Sequence, residues 1–310
     1  MKALITGAGG FIGGYLAEHL LSAGDRVWGM DREPGAVCQT LEQRGLRFVR
    51  GDILNGAEMG ELLADLRPDV VYHLAAQSFP GRSWEQPALT FDINVRGTVS
   101  LLEAVRSSGG KPVVIPICSS AEYAPRVVTT PITEDSPLGP STPYGVSKLT
   151  QDHIARLYGE RYGLPVVRVR PFYLVGPRKM GDVCSDFARG VVAVERGAQP
   201  GLKVGNLDVI RDLLDVRDGV GAMRVLAEKG RAGSVYNICL GTGYRVGDIL
   251  DRLIALAGKP VQVTVDPARV RSLDEPVKIG DNRRLRELGW APRISMEQTL
   301  RDILDYWRAA

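Results

Sequence analysis

Residues 4–13 read LITGAGGFIG, a short apolar segment followed at once by a glycine-rich turn. Gly7, Gly10 and Gly13 stand where a first strand would end and a first helix begin. Glycine there permits a tight turn, lets the backbone approach a pyrophosphate and lets the helix pack closely on the strand. The phosphates then lie at the N-terminus of the helix. The spacing, G-x-x-G-x-x-G, can by itself serve packing only, but its place in the first strand–helix unit predicts a dinucleotide-binding turn.

Short apolar runs alternate with amphipathic segments through the first half of the chain. The predicted strands are Lys2–Thr6, Arg26–Met30, Arg47–Arg50, Val70–Leu74, Pro112–Cys118 and Val166–Arg170. The predicted helices are Phe11–Ala23, Ala57–Leu66, Ala88–Ser107 and Tyr144–Tyr162. This alternation predicts an α/β fold of the Rossmann type, a doubly wound parallel sheet with helices on both faces. Pro116 lies inside a predicted central strand, where it would delete a ladder hydrogen bond, as at a bulge.

The composition of the chain changes after Pro171. Glycine and proline become frequent, and one further strand is predicted at Val235–Cys239. We expect residues 1–171 and 212–239 to form the dinucleotide-binding domain. Residues 172–211 and 240–310 are expected to form a smaller C-terminal part that binds the substrate.

Composition and charge exclude several classes of protein. The 310 residues carry 39 basic and 36 acidic side chains, a net charge of +3 without a polybasic patch. This balance argues against a nucleic-acid partner. No apolar run approaches the ~18 residues of a membrane helix, and the first glycines interrupt any signal-peptide core. The four cysteines lie far apart without a CxxC motif, so we expect neither disulfides nor a metal site, and a cytoplasmic location.

Asp31 ends the second predicted strand, 18 residues after Gly13 (31 − 13). A carboxylate at that place can accept hydrogen bonds from both ribose hydroxyls and repels a 2′-phosphate, which favours NAD over NADP. Arg32 follows directly and can bind such a phosphate. NADP therefore stays open as the cofactor.

Tyr144 and Lys148 stand four residues apart near the start of a predicted helix, and hence on one face of it. Ser119 ends a predicted central strand at the carboxyl edge, where such sheets bind their ligands. The charge of Lys148 would lower the pKa of the tyrosine. Tyr144 could then exchange a proton with a sugar or alcohol oxygen at neutral pH. These three residues are the predicted catalytic set.

Together these motifs resemble the extended short-chain dehydrogenase/reductase family, which includes nucleotide-sugar epimerases and dehydratases, over nearly the whole chain. Its marks are TGAGGFIG (6–13), GDI (51–53), HLAAQS (73–78), NVRGT (94–98), the Ser119, Tyr144 and Lys148 set, and RPFYLVGP (170–177). The second half is similar to enzymes that handle GDP-6-deoxy-4-keto-mannose, both the GDP-mannose 4,6-dehydratases and the reductases that follow them. The segments that carry this likeness are 203–218, 235–246 and 289–304.

The resemblance implies two sets of contacts. The cofactor contacts are Gly7, Gly10, Phe11, Ile12, Gly13, Asp31, Arg32, Asp52, Ile53, Leu74, Ala75, Ala76, Tyr144 and Lys148. The substrate contacts are Gln77, Ser120, Ala121, Glu122, Tyr173, Lys203, Arg211, Arg271 and Asp274. Arg211 and Arg271 are the candidate diphosphate clamps, because a guanidinium binds phosphate oxygens bidentately. The resemblance also implies a homodimer through the helices after Ala88 and Tyr144.

The segment SSAEY, residues 119–123, leaves two registers open. Members of the family carry a tyrosine four residues after the catalytic hydroxyl, which selects Ser119 and leaves Ser120 beside the substrate. The dehydratases carry a glutamate two residues after that hydroxyl, as the base that removes the C5 proton. Glu122 is one residue late for Ser119, and on an extended segment it would face away from the sugar. Anchoring on Ser120 instead restores the dehydratase pattern.

The sequence therefore predicts an NAD(P)H-dependent enzyme that reduces the C4 ketone of a nucleotide-diphospho-6-deoxy-sugar, with GDP as the expected nucleotide. A GDP-mannose 4,6-dehydratase or a nucleotide-sugar 4-epimerase, each recycling its cofactor, is the alternative. A cofactor-sensing protein without catalysis is a third hypothesis. Such a sensor needs none of Ser119, Tyr144 and Lys148, which are all present.

Overall fold

The computed structural model describes residues 1–125, 130–269 and 275–310. The strands are β1 (Lys2–Thr6), β2 (Arg26–Asp31), β3 (Arg47–Arg50), β4 (Val70–His73), β5 (Val113–Pro116), β6 (Arg168–Pro171), β7 (Tyr173–Val175), β8 (Gly201–Val204), β9 (Ile210–Arg211), β10 (Leu213–Asp215), β11 (Val235–Ile238), β12 (Tyr244–Arg245), β13 (Gln262–Val265) and β14 (Val277–Lys278). The α-helices are α1 (Phe11–Ser22), α2 (Gly35–Glu42), α3 (Gly56–Leu66), α4 (Pro80–Glu85), α5 (Pro87–Phe91), α6 (Gly97–Ser107), α7 (Pro143–Tyr162), α8 (Val183–Glu195), α9 (Val216–Lys229), α10 (Val246–Ala255), α11 (Arg283–Arg286) and α12 (Met296–Ala309). None of these helices is long and apolar enough to cross a lipid bilayer.

The central sheet is parallel, with strand order β3-β2-β1-β4-β5. Successive side chains of a strand face opposite sides, and β1 follows this rule. Ala3 and Ile5 pack in one core with residues of α1 and α9. Leu4, between them, packs in a second core with residues of α3 and α6. Helices thus cover both faces of the sheet, which confirms the predicted doubly wound α/β fold.

Pro116 removes one hydrogen bond from the sheet but causes no bulge. It is the last residue of β5, and the chain beyond it continues beside β6. Bridges join Val114 to Val166 and Ile117 to Val169, and the register is the same on both sides of Pro116. Proline has no N–H to donate between these bridges. The missing ladder bond was predicted, but the bulge was not needed, because the extended register runs on through the proline.

The predicted helix Ala88–Ser107 is divided by a π-helical turn, Asp92–Arg96, which joins α5 to α6. Single π turns inside α-helices often lie at functional sites. Asn94 in this turn is fully buried. Its Oδ1 accepts the Gln77 N–H at 2.8 Å, and its Nδ2 donates to Ser147 Oγ at 2.9 Å. The turn therefore ties the loop after β4 to α7.

A third apolar core lies in the C-terminal part of the chain and joins α8, α10 and α12. Its members come almost entirely from the ranges predicted to form the smaller, substrate-binding part. A few residues of the predicted smaller part pack elsewhere, among them Leu174. Leu285 and Trp290 pack in the core of α1 and α9 instead, and Trp290 Nε1 donates to the carbonyl oxygen of Asp218 at 3.1 Å. The division into two domains otherwise stays a prediction.

Asp212 links the segment that follows β11 to the segment that follows β14 by hydrogen bonds. Its buried carboxylate accepts backbone N–H groups from Leu240 at 2.7 Å, Gly241 at 2.9 Å and Gly280 at 3.1 Å. Burial raises the pKa of Asp212 to about 6, although these three hydrogen bonds oppose the rise. One side chain thus satisfies three amides that lie in two segments.

We predict that Asp212→Leu lowers the free energy of unfolding by about 3 kcal/mol or more, because each buried amide left unpaired costs ~1–3 kcal/mol. Asp212→Asn keeps an acceptor oxygen and should lose less. Urea unfolding followed by tryptophan fluorescence at pH 8 measures both. Equal losses for the two variants would show that the amides find other partners.

Candidate active site

A cavity of about 1840 Å³ opens at the carboxyl ends of the central strands. The turns after β1, β4 and β5 line one end of it, and residues of α8, β8 and β9 line the other. Ligands of open α/β sheets bind in such a crevice. The cavity therefore joins the predicted dinucleotide turn to the predicted substrate-binding part.

The glycine turn leaves no room for side chains. Gly7 has a φ of +78°, and a Cβ on it would lie 2.6 Å from the Ala75 nitrogen. A Cβ on Gly13 would lie 2.2 Å from the Gly7 carbonyl oxygen. Helix α1 begins after Gly10 without a side-chain cap, so its first N–H groups face the cavity end without a side-chain acceptor. These features fit the pyrophosphate of a dinucleotide.

Asp31 lies at the end of β2 and lines the cavity with Arg32. Its Oδ2 accepts the Gly9 N–H at 3.0 Å, and its Oδ1 accepts the Arg32 N–H at 2.8 Å. A carboxylate has about four acceptor sites, so both oxygens can still accept ribose hydroxyls. The other predicted cofactor contacts that line the cavity are Gly7, Gly10, Phe11, Ile12, Gly13, Asp52, Ile53, Leu74, Ala75 and Ala76.

Ser119, Tyr144 and Lys148 all line the cavity. Tyr144 lies in the first turn of α7, where Thr142 caps the helix by accepting the Gly145 N–H at 3.0 Å. Burial raises the pKa of Tyr144 to about 12, and a side-chain hydrogen bond with Ser119 opposes this rise. The hydroxyl groups of Ser119 and Tyr144 are therefore neighbours, as their spacing in the sequence predicted.

Lys148 does not act on Tyr144 as the sequence suggested. Its Nζ donates to the Ile117 carbonyl oxygen and to Gln151 Oε1, both at 2.8 Å. Burial lowers the pKa of Lys148 to about 8. The pKa of Tyr144 is raised rather than lowered, because burial outweighs the hydrogen bond with Ser119. The prediction of a lowered tyrosine pKa is wrong for this arrangement.

The segment after Ser119 is a tight turn and not an extended strand. Residues Ser120–Glu122 form one turn of 3₁₀ helix with Ser119 as its cap. Ser119 Oγ accepts the Ala121 N–H at 3.1 Å, and Glu122 Oε1 accepts the Ser119 N–H at 2.8 Å. Ser120 and Ala121 line the cavity. Glu122 is fully buried, and burial followed by the charge of Asp152 raises its pKa to about 8.

Two predicted substrate contacts need correction. Glu122 faces the protein interior and does not line the cavity, because its carboxylate completes the cap of the turn. Gln77 is also buried away from the cavity. Its Nε2 donates to Thr90 Oγ1 at 3.0 Å, and its Oε1 accepts the Phe79 N–H at 2.6 Å. Both side chains hold loops that border the cavity through hydrogen bonds, without reaching the cavity themselves.

The substrate end of the cavity is basic. Tyr173, Lys203 and Arg211 line it, as predicted, and the Arg211 guanidinium lies 5.9 Å from the Tyr173 ring centroid. Further cations that line the cavity are Arg178, Lys179, Arg189, Arg269 and Lys278. Arg271 and Asp274 lie outside the described residues.

Lys278 is a functional candidate that the sequence did not reveal. It is the register partner of Arg211 on the neighbouring strand, so both side chains extend on the same face, and both are buried. Lys278 Nζ lies 2.8 Å from Glu275 Oε2. Strands β9 and β14 have two residues each, which is too short for periodicity to reveal them.

Comparison with known proteins agrees with this geometry. A family model described as GDP-mannose 4,6 dehydratase matches residues 4–303. The GDP-6-deoxy-D-mannose reductase of Pseudomonas aeruginosa is 33% identical, over 99% of this chain and 97% of that protein. The solved structure of RMD from Pseudomonas aeruginosa, complexed with NADPH, has a TM-score of 0.88 at 31% identity, over 100% of this chain and 99% of that one. UDP-glucose 4-epimerase of Thermotoga maritima, with UDP-glucose, has a TM-score of 0.89 at 28% identity, with 100% and 99% covered.

The lowered pKa of Lys148 predicts a pH dependence of stability. Between about pH 8 and 10.5 the unfolded chain holds a proton on this amine that the folded chain lacks, so the free energy of unfolding rises with pH in that window. We expect the wild type to gain about 3 kcal/mol across it relative to Lys148→Met, at ~1.4 kcal/mol for each pKa unit. Urea unfolding at a series of pH values tests this. A pH-independent difference between the two proteins would refute it.

Proposed function

This chain belongs to the GDP-mannose 4,6-dehydratase family of extended short-chain dehydrogenases/reductases, and we propose that it reduces the C4 ketone of a GDP-4-keto-6-deoxyhexose. It is an NAD(P)-dependent enzyme of the class that acts on nucleotide sugars. The product of the proposed reaction is a GDP-6-deoxyhexose of the mannose or rhamnose type. The reducing equivalents come from NADH or NADPH as a second substrate.

The observation that supports reduction over dehydration is the direction of Glu122. Dehydration requires a base that removes the C5 proton, and such a base must reach the sugar to within hydrogen-bond distance. Ala121 lines the cavity in the turn after Ser119, whereas Glu122 is fully buried and bound to the Ser119 N–H. Among the described cavity residues, the carboxylates are Asp31, Asp52, Asp182 and Asp186. None of them lies in this turn.

The titration of Tyr144 suits a proton donor. A pKa of about 12 keeps the phenol protonated at neutral pH, which a ketone reduction needs at its start. Ser119 can donate a hydrogen bond to the same carbonyl oxygen, and so orient it towards Tyr144. NADH or NADPH, when bound, supplies the hydride that C4 receives. Tyr144 then gives its proton to the C4 oxygen.

The chain's own residues divide the remaining work between two ends of the cavity. The glycine turn and Asp31 would hold the dinucleotide, with Lys148 near its ribose. We favour NAD because Asp31 repels a 2′-phosphate, while Arg32 keeps NADP possible. Arg211 and Lys278 would hold the diphosphate of the sugar nucleotide, since two buried cations on one face favour a doubly charged group.

A homodimer is part of the proposal. Val146 and Leu157 are exposed on α7, and their spacing of eleven residues puts them on one face after three helical turns. Phe91 is exposed on α5, which packs against α7. Contiguous exposed apolar groups mark interaction surfaces, and these three are the candidates for such a surface. The same two helices were expected from the sequence to form the dimer contact.

The proposed location is the cytoplasm. Cys38, Cys118, Cys184 and Cys239 are all buried and unpaired. Buried thiols without disulfides are usual in a reducing compartment.

The direct test is to supply GDP-4-keto-6-deoxymannose with NADH or with NADPH. We expect the absorbance of the reduced nicotinamide to fall in step with the formation of a GDP-6-deoxyhexose. GDP-mannose alone, and UDP-glucose alone, should remain unchanged. Formation of a 4-keto product from GDP-mannose without reductant would identify a dehydratase, and interconversion of UDP-hexoses without reductant would identify an epimerase.

In the same assay, Tyr144→Phe should lower turnover by roughly 10²–10⁴-fold, the usual range for a lost general acid–base. Binding of the reduced cofactor, followed by its fluorescence, should persist. Tyr158→Phe is the matched control, because this tyrosine lies on the same helix and its hydroxyl donates to Glu103 outside the cavity. Wild-type turnover in Tyr144→Phe would exclude the role assigned to this residue.

Asp31→Ala should weaken the use of NADH more than the use of NADPH. The ribose acceptor disappears together with its repulsion of the 2′-phosphate. The ratio of kcat/KM values for the two cofactors measures this. Equal losses for both would mean that Asp31 does not contact the ribose.

A further inference from the structure

A buried chain of ionic contacts runs from the backbone of Ser119 to the helix that carries Tyr144. Its first link is the 2.8 Å hydrogen bond from the Ser119 N–H to Glu122 Oε1. The other oxygen of this carboxylate, Oε2, lies 3.0 Å from Arg170 Nε. Glu122 therefore faces Ser119 on one side and Arg170 on the other.

The second half of the chain of contacts reaches α7. Arg170 Nε donates its hydrogen bond to Asp152 Oδ2 at 3.0 Å, so Glu122 Oε2 meets the charge of the guanidinium without a hydrogen bond, and Arg168 Nη1 donates to Asp152 Oδ1 at 2.7 Å. Glu122, Asp152 and Arg170 are each at least 98% buried. In such surroundings a charged group has no water to replace a lost partner. The positions of the three side chains are thus mutually dependent.

Asp152 belongs to the same face of α7 as the catalytic pair. Tyr144, Lys148 and Asp152 follow one another at intervals of four residues, the spacing of neighbours along a helix face. The cavity-facing end of this row carries the proton donor, and its buried end is held by Arg170. A displacement of Arg170 would therefore move Ser119 and α7 relative to each other.

We infer that Glu122 and Arg170 are positioning residues that fix the Ser119 hydroxyl opposite the Tyr144 hydroxyl. Glu122 holds the serine by its backbone N–H, and Arg170 joins that carboxylate to the one on α7. Neither side chain lines the cavity, so both act through Ser119 and Tyr144 rather than on the sugar. This inference rests on the catalytic roles in the proposed function.

The test is a double-mutant cycle in the ketone-reduction assay. Glu122→Leu removes the acceptor of the Ser119 N–H, and should lower kcat on the order of 10²-fold, as small displacements of catalytic groups do. KM for the sugar nucleotide and the Kd of the reduced cofactor should change by less than about three-fold, because no substrate contact is lost. Glu122→Gln keeps an acceptor oxygen and should restore most of kcat.

The decisive comparison adds Glu122→Leu to Ser119→Ala. If Glu122 acts through Ser119, the second change should cost no more than about two-fold once the hydroxyl is gone, since residues that act as a unit are non-additive. An undiminished 10²-fold loss in that background would overturn the inference and leave Glu122 with a general stabilising role. Full activity of Ser119→Ala itself would refute the proposed role of the serine, which is a separate failure.

Two further variants keep the test interpretable. Glu134 is a matched control, because its Oε1 accepts the Asn237 N–H at 2.9 Å and its Oε2 lies 3.5 Å from Arg284 Nε, away from the cavity. Glu134→Leu should lower stability while kcat stays within about two-fold.

If Glu122→Leu does not fold, Arg170→Lys takes its place, because a single ammonium cannot contact both carboxylates as the guanidinium does. It should show the same non-additivity with Ser119→Ala, and additivity would again overturn the inference.

Discussion

The parallel ladders that join β1 to β4 and β4 to β5 are the constraint on which the site depends. Thr6 pairs with His73, and His73 pairs with Pro116, so three strands end at one level although the chain between them is long. Their turns then supply the glycine loop, the loop of Leu74 and the turn of Ser119 to one cavity. Helix α7 adds Tyr144 from the side. A shift of one residue in either ladder would separate the dinucleotide turn from the serine.

The residues that the sequence brought together by backbone periodicity line one cavity, and their roles stay predictions. The glycine turn, Asp31 and the Ser119, Tyr144 and Lys148 set were predicted because each has a fixed position relative to a strand end or a helix start. The strand and helix ends of the first half were within two residues of those observed. The local sequence pattern is almost sufficient by itself to determine where these strands and helices begin and end.

The parts that were not predicted depend either on one tight turn or on side chains that meet across the fold. The resemblance implied that Glu122 contacts the sugar, whereas an extended segment would turn it away from the sugar. The segment is in fact a tight turn, in which Glu122 accepts the Ser119 N–H. Lys148 was expected to act on Tyr144, but its Nζ donates to the carbonyl oxygen of Ile117. Lys278 enters the cavity only because two strands of two residues pair. The Ser-x-x-Glu spacing of residues 119–122 is that of a capping box and could have indicated the first of these contacts, whereas no spacing in the sequence indicates the other two.

The π-helical turn at Asp92–Arg96 has a consequence for the helices on either side of it. Each residue of an α-helix turns the chain by about 100°, so a locally widened turn rotates the helix beyond it relative to the helix before it. Helix α5 can thus present its inner face to α7, while α6 packs against both α3 and α7. The two helices follow one another directly in the chain but are rotated relative to each other. Asn94 lies in the π-helical turn between them and forms hydrogen bonds with both Gln77 and Ser147 of α7. In an uninterrupted helix with the same ends, the Asn94 side chain would point in another direction.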